Sequence, residues 1–143
     1  MKIIPAQDVA QIKQLLASVD LPTDDIDEGS SACFYFIENQ SETVALIGLE
    51  CFDHEALVRS LMVKPDYRAQ GLGRQLVKYI EQKAHQLGIT HLYLLTTTAS
   101  PFFEQLGFQI IERKQTPETI RRTEEFSHIC PANATLMRKR LNG

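Results

Sequence analysis

The chain has 143 residues, of which 43% are hydrophobic and 23% charged, and its net charge is −3. This length and apolar content predict one domain with one core, spanning residues 1–143. Because the charge is slightly negative and no long basic run occurs, nucleic acid is disfavoured as a partner. No apolar segment is long enough to span a membrane.

Three cysteines are present, Cys33, Cys51 and Cys130, and they are widely spaced. They form no CxxC pair and have no histidine at metal-ligand spacing, so we expect reduced thiols and no bound metal. The N-terminus lacks the apolar run of a signal peptide. These features predict a cytoplasmic protein.

The first third of the chain predicts a strand, a helix and a hairpin, in that order. KIIP can form the strand, and residues 6–20 have the apolar periodicity of a helix that Asp8 can cap. An acidic loop, LPTDDIDEGSS, follows. ACFYFIEN and TVALIGLECFD are joined by QSE, which predicts a β-hairpin over residues 32–52.

The middle of the chain predicts a strand, a helix and a second strand. ALVRSLMVK predicts the first strand, which Pro65 ends. The helix extends to about Leu87, which we expect on its apolar stripe, with Gly88 just beyond its end. THLYLLTTT is the next strand. A β-α-β unit of this kind makes the strands at 56–64 and 91–98 parallel neighbours.

The last third predicts two short helices and two strands. Ser100 can cap the first helix, SPFFEQLG, with Pro101 at its first position and Gly107 at its end. FQIIER is the next strand, Thr116 and Pro117 open a second short helix, and ATLMRKRL closes the chain as a strand. The order β-α-β-β-β-α-β-α-β-(α)-β predicts an α/β fold with a mixed sheet.

Two glycines, Gly71 and Gly73, stand at the start of the central helix, close to Arg68. A helix N-terminus exposes amides without intrahelical partners and carries partial positive charge, so it can bind an anion such as a phosphate. Glycines allow close approach, and an arginine adds charge-assisted hydrogen bonds. Residues 68–73 therefore predict either a pyrophosphate cradle or a plain glycine-containing loop. They match neither a Rossmann motif nor a P-loop.

The segments LMVKPDYRAQGLG and SPFFEQLGFQIIER occur in this order, separated by one helix and one strand. Together they resemble the GCN5-related N-acetyltransferase (GNAT) family. The residues that match the two family motifs are Leu61, Met62, Val63, Pro65, Arg68, Gly71, Gly73, Phe102, Phe103, Leu106, Gly107 and Phe108. Within the family, LPTDD, GLE, ALVRSL, LYLLTTTA and EFSHICPANA resemble a branch of small acetyltransferases associated with arsenic-resistance gene clusters.

The resemblance implies a single-domain GNAT-like fold, with a central mixed and splayed β-sheet flanked by helices. It implies acetyl-CoA as co-substrate and no metal, with the pantetheine arm lying like an added strand along the main chain around Leu61 and Val63. An N–H near Met62 or Val63 would polarise the thioester carbonyl. Homodimers are common in the family. The implied cofactor-binding residues are Leu61, Met62, Val63, Arg68, Ala69, Gln70, Gly71, Leu72, Gly73, Arg74 and Phe102.

The acid candidates follow from the same resemblance, and the base candidate follows from its place on a strand. Many family members place a tyrosine acid on the short helix, where this chain has Phe102-Phe103. Tyr93 and Tyr67 are substitutes for it, or they have packing or surface roles, and a thiolate can also leave without an acid. Glu50, at the polar end of its strand, is either the base, acting through water, or a solvated carboxylate.

Substrate contacts are expected from three further regions. Arg59, within an apolar strand, either binds a substrate carboxylate or pairs with an acidic residue such as Glu50. Thr97 and Thr98 either contact the substrate or are simply good strand formers. Residues 114–131 form a long connection that can wall the acceptor site. Its candidate side chains, each with a surface or buried alternative, are Arg121, Arg122, Ser127, His128 and Cys130.

These features predict an N-acetyltransferase that moves the acetyl group of acetyl-CoA to the primary amine of a small molecule. A carboxylate on that amine, and a role in resistance or detoxification, are part of the hypothesis. Two alternatives stay open: an acetyl-CoA-binding sensor without turnover, and a protein N-acetyltransferase that acts on lysine or a chain terminus.

Overall fold

The computed structural model of the chain describes residues 2–6, 8–17, 32–97, 99–121 and 134–141. The strands in these residues are β1 (Lys2–Ala6), β2 (Ala32–Asn39), β3 (Glu42–Phe52), β4 (Glu55–Val63), β5 (His91–Thr96), β6 (Gln109–Ile110) and β7 (Thr135–Arg140). The helices are α1 (Val9–Ala17), α2 (Leu72–Gln86), α3 (Ser100–Gln105) and α4 (Glu118–Arg121), with 3₁₀ turns at Pro65–Tyr67 and Arg113–Gln115.

The strands form one seven-stranded mixed sheet in the order β1-β2-β3-β4-β5-β7-β6. β4 and β5 are parallel, as predicted for the β-α-β unit, and their pairing comprises three residue pairs, from Glu55↔His91 to Leu57↔Tyr93. β5 and β6 each pair with β7 in the antiparallel sense. The α/β class and the mixed sheet are therefore confirmed.

The chain divides into two compact units. The first unit comprises residues 1–50 and 58–82, and the second comprises residues 51–57 and 83–143. The break within β4 falls at Leu57, the last residue of β4 that pairs with β5.

Helix α1 of the first unit begins at the predicted cap. The Asp8 carboxylate oxygen Oδ1 accepts hydrogen bonds from the amides of Ala10 at 3.0 Å and Gln11 at 3.3 Å, which satisfies donors that the helix itself leaves open. The side chains of this helix pack in one apolar cluster of the first unit. Its buried members are Ile12, Leu16, Phe34, Phe36, Leu46 and Met62.

The β2–β3 hairpin confirms the predicted turn at QSE. Asn39 pairs with Glu42, so the loop has two residues, Gln40 and Ser41. Their φ angles are 52° and 70°, and a positive φ at both central residues is the geometry of a type I′ turn, which matches the twist of the flanking strands.

Gly48 lies inside β3, where a side chain would collide with its neighbours. A Cβ at this position would lie 2.7 Å from Cε1 of Phe34 and 3.1 Å from Cγ of Arg59. The missing side chain therefore makes room for an aromatic ring and for a buried arginine in the first unit.

The end of α2 lies in the second unit and is a Schellman motif. The Gly88 amide donates to the His85 carbonyl at 3.1 Å and the Ile89 amide donates to the Ala84 carbonyl at 2.9 Å, with φ +83° at Gly88. The placement of Leu87 on the apolar stripe was wrong: it follows the last helical residue and is 64% exposed.

Helix α3 differs from its prediction at its start. Its N-cap is Ala99, without a side-chain cap bond, so the prediction that Ser100 caps the helix was wrong. The Ala99 amide instead donates to the Thr96 hydroxyl at 3.0 Å. At the other end, Lys139 Nζ donates to the Leu106 carbonyl at 2.7 Å, and Gly107 follows with φ +97°. Lys139 therefore stabilises the C-terminal end of α3.

Strand β6 is shorter than the predicted FQIIER. It covers Gln109–Ile110, because Glu112 and Gln115 form a reciprocal capping box that starts a 3₁₀ turn at Arg113. The second short helix is confirmed as α4, just after Thr116 and Pro117.

Gly48→Ala is expected to lower the free energy of unfolding by about 1–3 kcal/mol, since overpacking forces a side chain or the backbone to move. Urea unfolding measures the change. Phe34→Leu removes the nearest ring atom, so the double variant should lose less than the sum of the two single variants. Wild-type stability of Gly48→Ala would contradict the close packing at β3.

Candidate functional site

The loop before α2 combines exposure with left-handed backbone. Ala69 has φ +65° and Gly71 has φ +82°, and the loop from Arg68 to Gly71 is exposed. The Gly71 carbonyl accepts the Gln75 amide at 3.0 Å, which starts the helix. The amides of the first turn therefore have no intrahelical acceptor, and Gly71 has no side chain to cap them. This arrangement suits an anion at the head of α2.

Arg68 links this loop to the end of β4. Its Nε donates to the Val63 carbonyl at 3.0 Å, and its backbone amide donates to the Pro65 carbonyl at 3.3 Å. The Nη groups of the guanidinium take no part in that side-chain bond. The first turn of α2 has no acidic residue, and Arg74 in it is exposed. The first turn of α2 and the loop before it therefore carry net positive charge.

Strand β4 has its main irregularity at Ser60. The φ angle of Ser60 is +60°, and Arg59 Nε donates to its hydroxyl at 3.2 Å. Adjacent strand residues normally face opposite sides of a sheet, so the expected alternation of Arg59 and Ser60 is broken here. Beyond Ser60, Met62 is buried in the core, while Leu61 and Val63 are half-buried.

Glu50 and Arg59 form an ion pair in the first unit. Arg59 Nη1 lies 3.7 Å from Glu50 Oε1, and the two side chains are 2% and 15% exposed. The alternative in which Arg59 pairs with Glu50 is therefore confirmed. Of the two partners, the carboxylate is the one that solvent reaches more easily.

The aromatic residues of α3 pack on one another in the second unit. Phe102 is half-buried, and its ring centroid lies 5.0 Å from that of Phe103 in an edge-to-face contact. Phe103 contacts Phe108 in the same way at 5.6 Å. The position where the family often has tyrosine is thus part of a buried aromatic cluster.

The two tyrosines considered as substitute acids are both bound to carboxylates. Tyr93 is buried, and its hydroxyl donates to Glu55 Oε2 at 3.2 Å in the second unit. The Tyr67 hydroxyl donates to Glu42 Oε1 at 3.4 Å in the first unit. These bonds favour the packing and surface alternatives for both residues.

Burial raises the pKa of Tyr93 above its ordinary value of 10.0. The nearby Glu55 carboxylate adds to the increase, because a second negative charge beside it is unfavourable, whereas the hydrogen bond with Arg138 opposes it. The phenol therefore stays protonated well past neutrality.

Several predicted site residues have structural bonds or lie outside the described residues. The Thr96 hydroxyl accepts the Ala99 amide, which supports a structural role for it, and Thr97 is exposed. Arg121 is exposed at the end of α4. Candidates outside the described residues are Thr98, Arg122, Ser127, His128 and Cys130.

No group of three or more His, Cys, Asp or Glu side chains among the described residues could hold a metal ion. None of the described helices has the length and apolar character needed to cross a membrane.

Sequence reasoning missed the roles of Gly48 and Ser60. A glycine inside a strand pattern signals a close approach of neighbouring groups, so Gly48 carried a readable signal. Ser60 carried none, because serine inside a strand pattern does not predict a positive φ.

The profile of the acetyltransferase (GNAT) domain family matches residues 30–110, more than half of the chain. The chain therefore belongs to the GNAT acetyltransferase family. This match confirms the predicted family and, with it, the acyltransferase class.

Among curated proteins, an amino-acid acetyltransferase of Edwardsiella ictaluri is 36% identical over 87 residues, which are 59% of this chain and 20% of that protein. The chain thus spans about a fifth of the curated relatives that it matches.

Two solved structures show the same fold. N-acetylglutamate synthase from Neisseria gonorrhoeae, complexed with coenzyme A and N-acetyl-glutamate, has a TM-score of 0.83 at 22% identity, covering 100% of this chain and 36% of the synthase. An aminoglycoside 6'-N-acetyltransferase complexed with coenzyme A has a TM-score of 0.73 at 16% identity, covering 100% and 98%. Coenzyme A, the cofactor expected from the sequence, is bound in both.

Tyr93→Phe tests the raised pKa through stability. A folded-state pKa above the unfolded value stabilises the fold below pH 10.0, and that stability is lost as pH rises through the folded pKa. The difference in unfolding free energy between wild type and Tyr93→Phe should therefore shrink between about pH 9 and pH 11. Urea unfolding across this range measures it, and a difference that is constant with pH would contradict the shift.

Proposed function

We propose that this chain is an acetyl-CoA-dependent N-acetyltransferase whose acceptor is the primary amine of a small, carboxylate-bearing molecule. The observation that carries the proposal is the head of α2, where left-handed Ala69 and Gly71 expose amides beside Arg68. Similarity to an amino-acid acetyltransferase supports an acceptor of the amino-acid type.

The head of α2 fits the pyrophosphate of coenzyme A. The amides from Ala69 to Arg74 would donate to its oxygens, and the Nη groups of Arg68 would add charge-assisted bonds. The Arg68 Nε bond to Val63 fixes the side chain at the junction of loop and strand, so less conformational freedom is lost on binding.

Main-chain groups of β4 would hold the rest of the cofactor. Met62 is anchored in the apolar cluster with α1, which keeps the neighbouring amides in place. The N–H of Met62 or Val63 would polarise the thioester carbonyl, and donors fixed in advance stabilise charge on that oxygen without reorganising. Leu61, Phe102 and the exposed Thr97 are further proposed contacts to the cofactor or acceptor.

Glu50 is the proposed base. Through a water molecule it would take a proton from the acceptor ammonium, and the Arg59 guanidinium at 3.7 Å would keep the carboxylate oriented. A direct bond from Arg59 to a substrate carboxylate stays a prediction, and the 2% exposure of this side chain favours the orienting role. The nitrogen then bonds to the acetyl carbon, the carbon–sulfur bond breaks with release of the thiolate, and the second proton of the nitrogen passes to the thiolate or to water.

Two narrower hypotheses rest on the sequence alone. A role in arsenic resistance follows only from the resemblance to one branch of the family. The expectation of a homodimer rests only on the frequency of homodimers in the family.

Arg68→Met is expected to weaken coenzyme A binding about tenfold, the scale of one charge-assisted hydrogen bond. Calorimetry measures the affinity. Lys13→Met is the matched control, because it removes another exposed cation, on α1, and should leave the affinity unchanged. An absence of coenzyme A binding by the folded wild type would reject the proposed function.

The same proteins, mixed with acetyl-CoA, a thiol reagent and a panel of amino acids, polyamines and peptides, test turnover and acceptor class. Release of free thiol with amino acids supports the proposal, and preference for peptides would support a protein acetyltransferase. The buried Phe103 in place of a tyrosine favours a second candidate, the acetyl-CoA-binding sensor, which predicts cofactor binding without thiol release for any amine.

Glu50→Gln is expected to reduce kcat/KM about a hundredfold, within the range typical of a lost general base. The loss should be largest at low pH, where more of the acceptor is protonated and a base is needed most. Glu42→Gln, an exposed carboxylate at the other end of β3, is the matched control. An unchanged pH–rate profile in Glu50→Gln would remove Glu50 from the mechanism.

A further inference from the structure

The second unit contains a basic cavity that uses none of the residues proposed for acetyl transfer. Its volume is about 400 Å³, the size range of sites for small molecules. The described residues that line it are His91, Gly107, Gln109, Arg138, Lys139 and Arg140. It therefore contains three permanent cations and no carboxylate among its described lining residues.

Strand register explains why these side chains meet. His91 of β5 is opposite Arg140 of β7, and Gln109 of β6 is opposite Arg138. Residues two apart on a strand share a face, and directly opposite residues are near neighbours, so both arginines lie on one face with His91 and Gln109. The cavity is at the His91 end of β5, about 17 Å along the strand from Thr96.

Two of the three cations have identified partners among the described residues. Arg138 is hydrogen-bonded to the Tyr93 side chain, which in turn donates to the carboxylate of Glu55, the residue opposite His91 on β4. Lys139 is bound to the Leu106 carbonyl at the end of α3. Arg140 is exposed and makes no ion pair with a described residue.

The ring of His91 also lines the cavity. Its Nδ1 lies 3.0 Å from the Thr90 hydroxyl, which leaves Nε2 as the ring nitrogen available to a ligand. Guanidinium groups bind carboxylate and phosphate through paired N–H donors, and two of them on one face favour a ligand with more than one negative charge. We propose that this cavity binds a small polyanion that carries phosphate or carboxylate groups.

Titration of the ¹⁵N-labelled protein with pyrophosphate and, separately, with citrate tests the site at low ionic strength, where screening is weak. The amides of His91, Gln109 and Arg140 should shift and saturate with at least one probe. Those of Gly71 and Gly73 report independently on the head of α2. Pyrophosphate alone would indicate a phosphate-bearing ligand, and citrate alone a carboxylate-bearing one.

Arg140→Met should weaken this binding about tenfold, the scale of one charge-assisted bond, while leaving the response at the head of α2 unchanged. The exposed position of Arg140 allows the truncation without disturbing the core. Lys13→Met is the control for net charge. Unsaturated shifts with both probes, wild-type affinity in Arg140→Met, or an equal loss in Lys13→Met would each overturn the site.

Discussion

Main-chain amides at the head of α2 are the feature on which the structure's proposed chemistry depends. A long helix concentrates partial positive charge at its first turn only if that turn is fixed and uncovered. Gly71 leaves it uncovered because it has no side chain. A Cβ at this position would meet nothing within 4 Å, so glycine is required for its φ of +82° rather than for packing. The turn is fixed by the buried apolar face of the helix. That face consists of Leu72, Leu76, Val77, Ile80 and Ala84.

The Glu50–Arg59 pair is difficult to explain as a source of stability. Removing two charges from water costs about as much as their attraction returns, so a buried ion pair often adds nothing to folding. The first unit nevertheless accommodates it through two local departures from regular strand structure, a glycine at position 48 and a left-handed Ser60 bonded to Arg59. Backbone strain of this kind is typical of functional sites. The ion pair that it accommodates includes the Glu50 carboxylate, which solvent can reach.

Local sequence signals predicted most of the fold because they act over a few residues. The Asp8 cap, the QSE turn and Gly88 each depend on nearby backbone, and all were confirmed. The errors at α3 and β6 are local too, and they lie where two short-range signals compete for the same residues. Thr96 rather than Ser100 satisfies the start of α3, and a capping box cuts β6 short. Distant residues limit the prediction of the sites instead. The motif could place Arg68 beside the glycines, but only the strand register could bring His91 beside Arg140.

Packing also decides which catalytic groups the chain needs. A tyrosine in place of Phe103 would need a partner for its hydroxyl inside a buried aromatic cluster, and both other candidate phenols are bound to carboxylates. An alkyl thiol has a pKa of about 8.5 and an alkyl ammonium about 10.4, so the thiolate is the better leaving group of the two even without a proton donor. The acceptor, in contrast, arrives as an ammonium at neutral pH and cannot attack until it loses a proton. The proposed chemistry can therefore proceed without an acid but not without a base, and Glu50, which is paired with Arg59, is our proposal for that base.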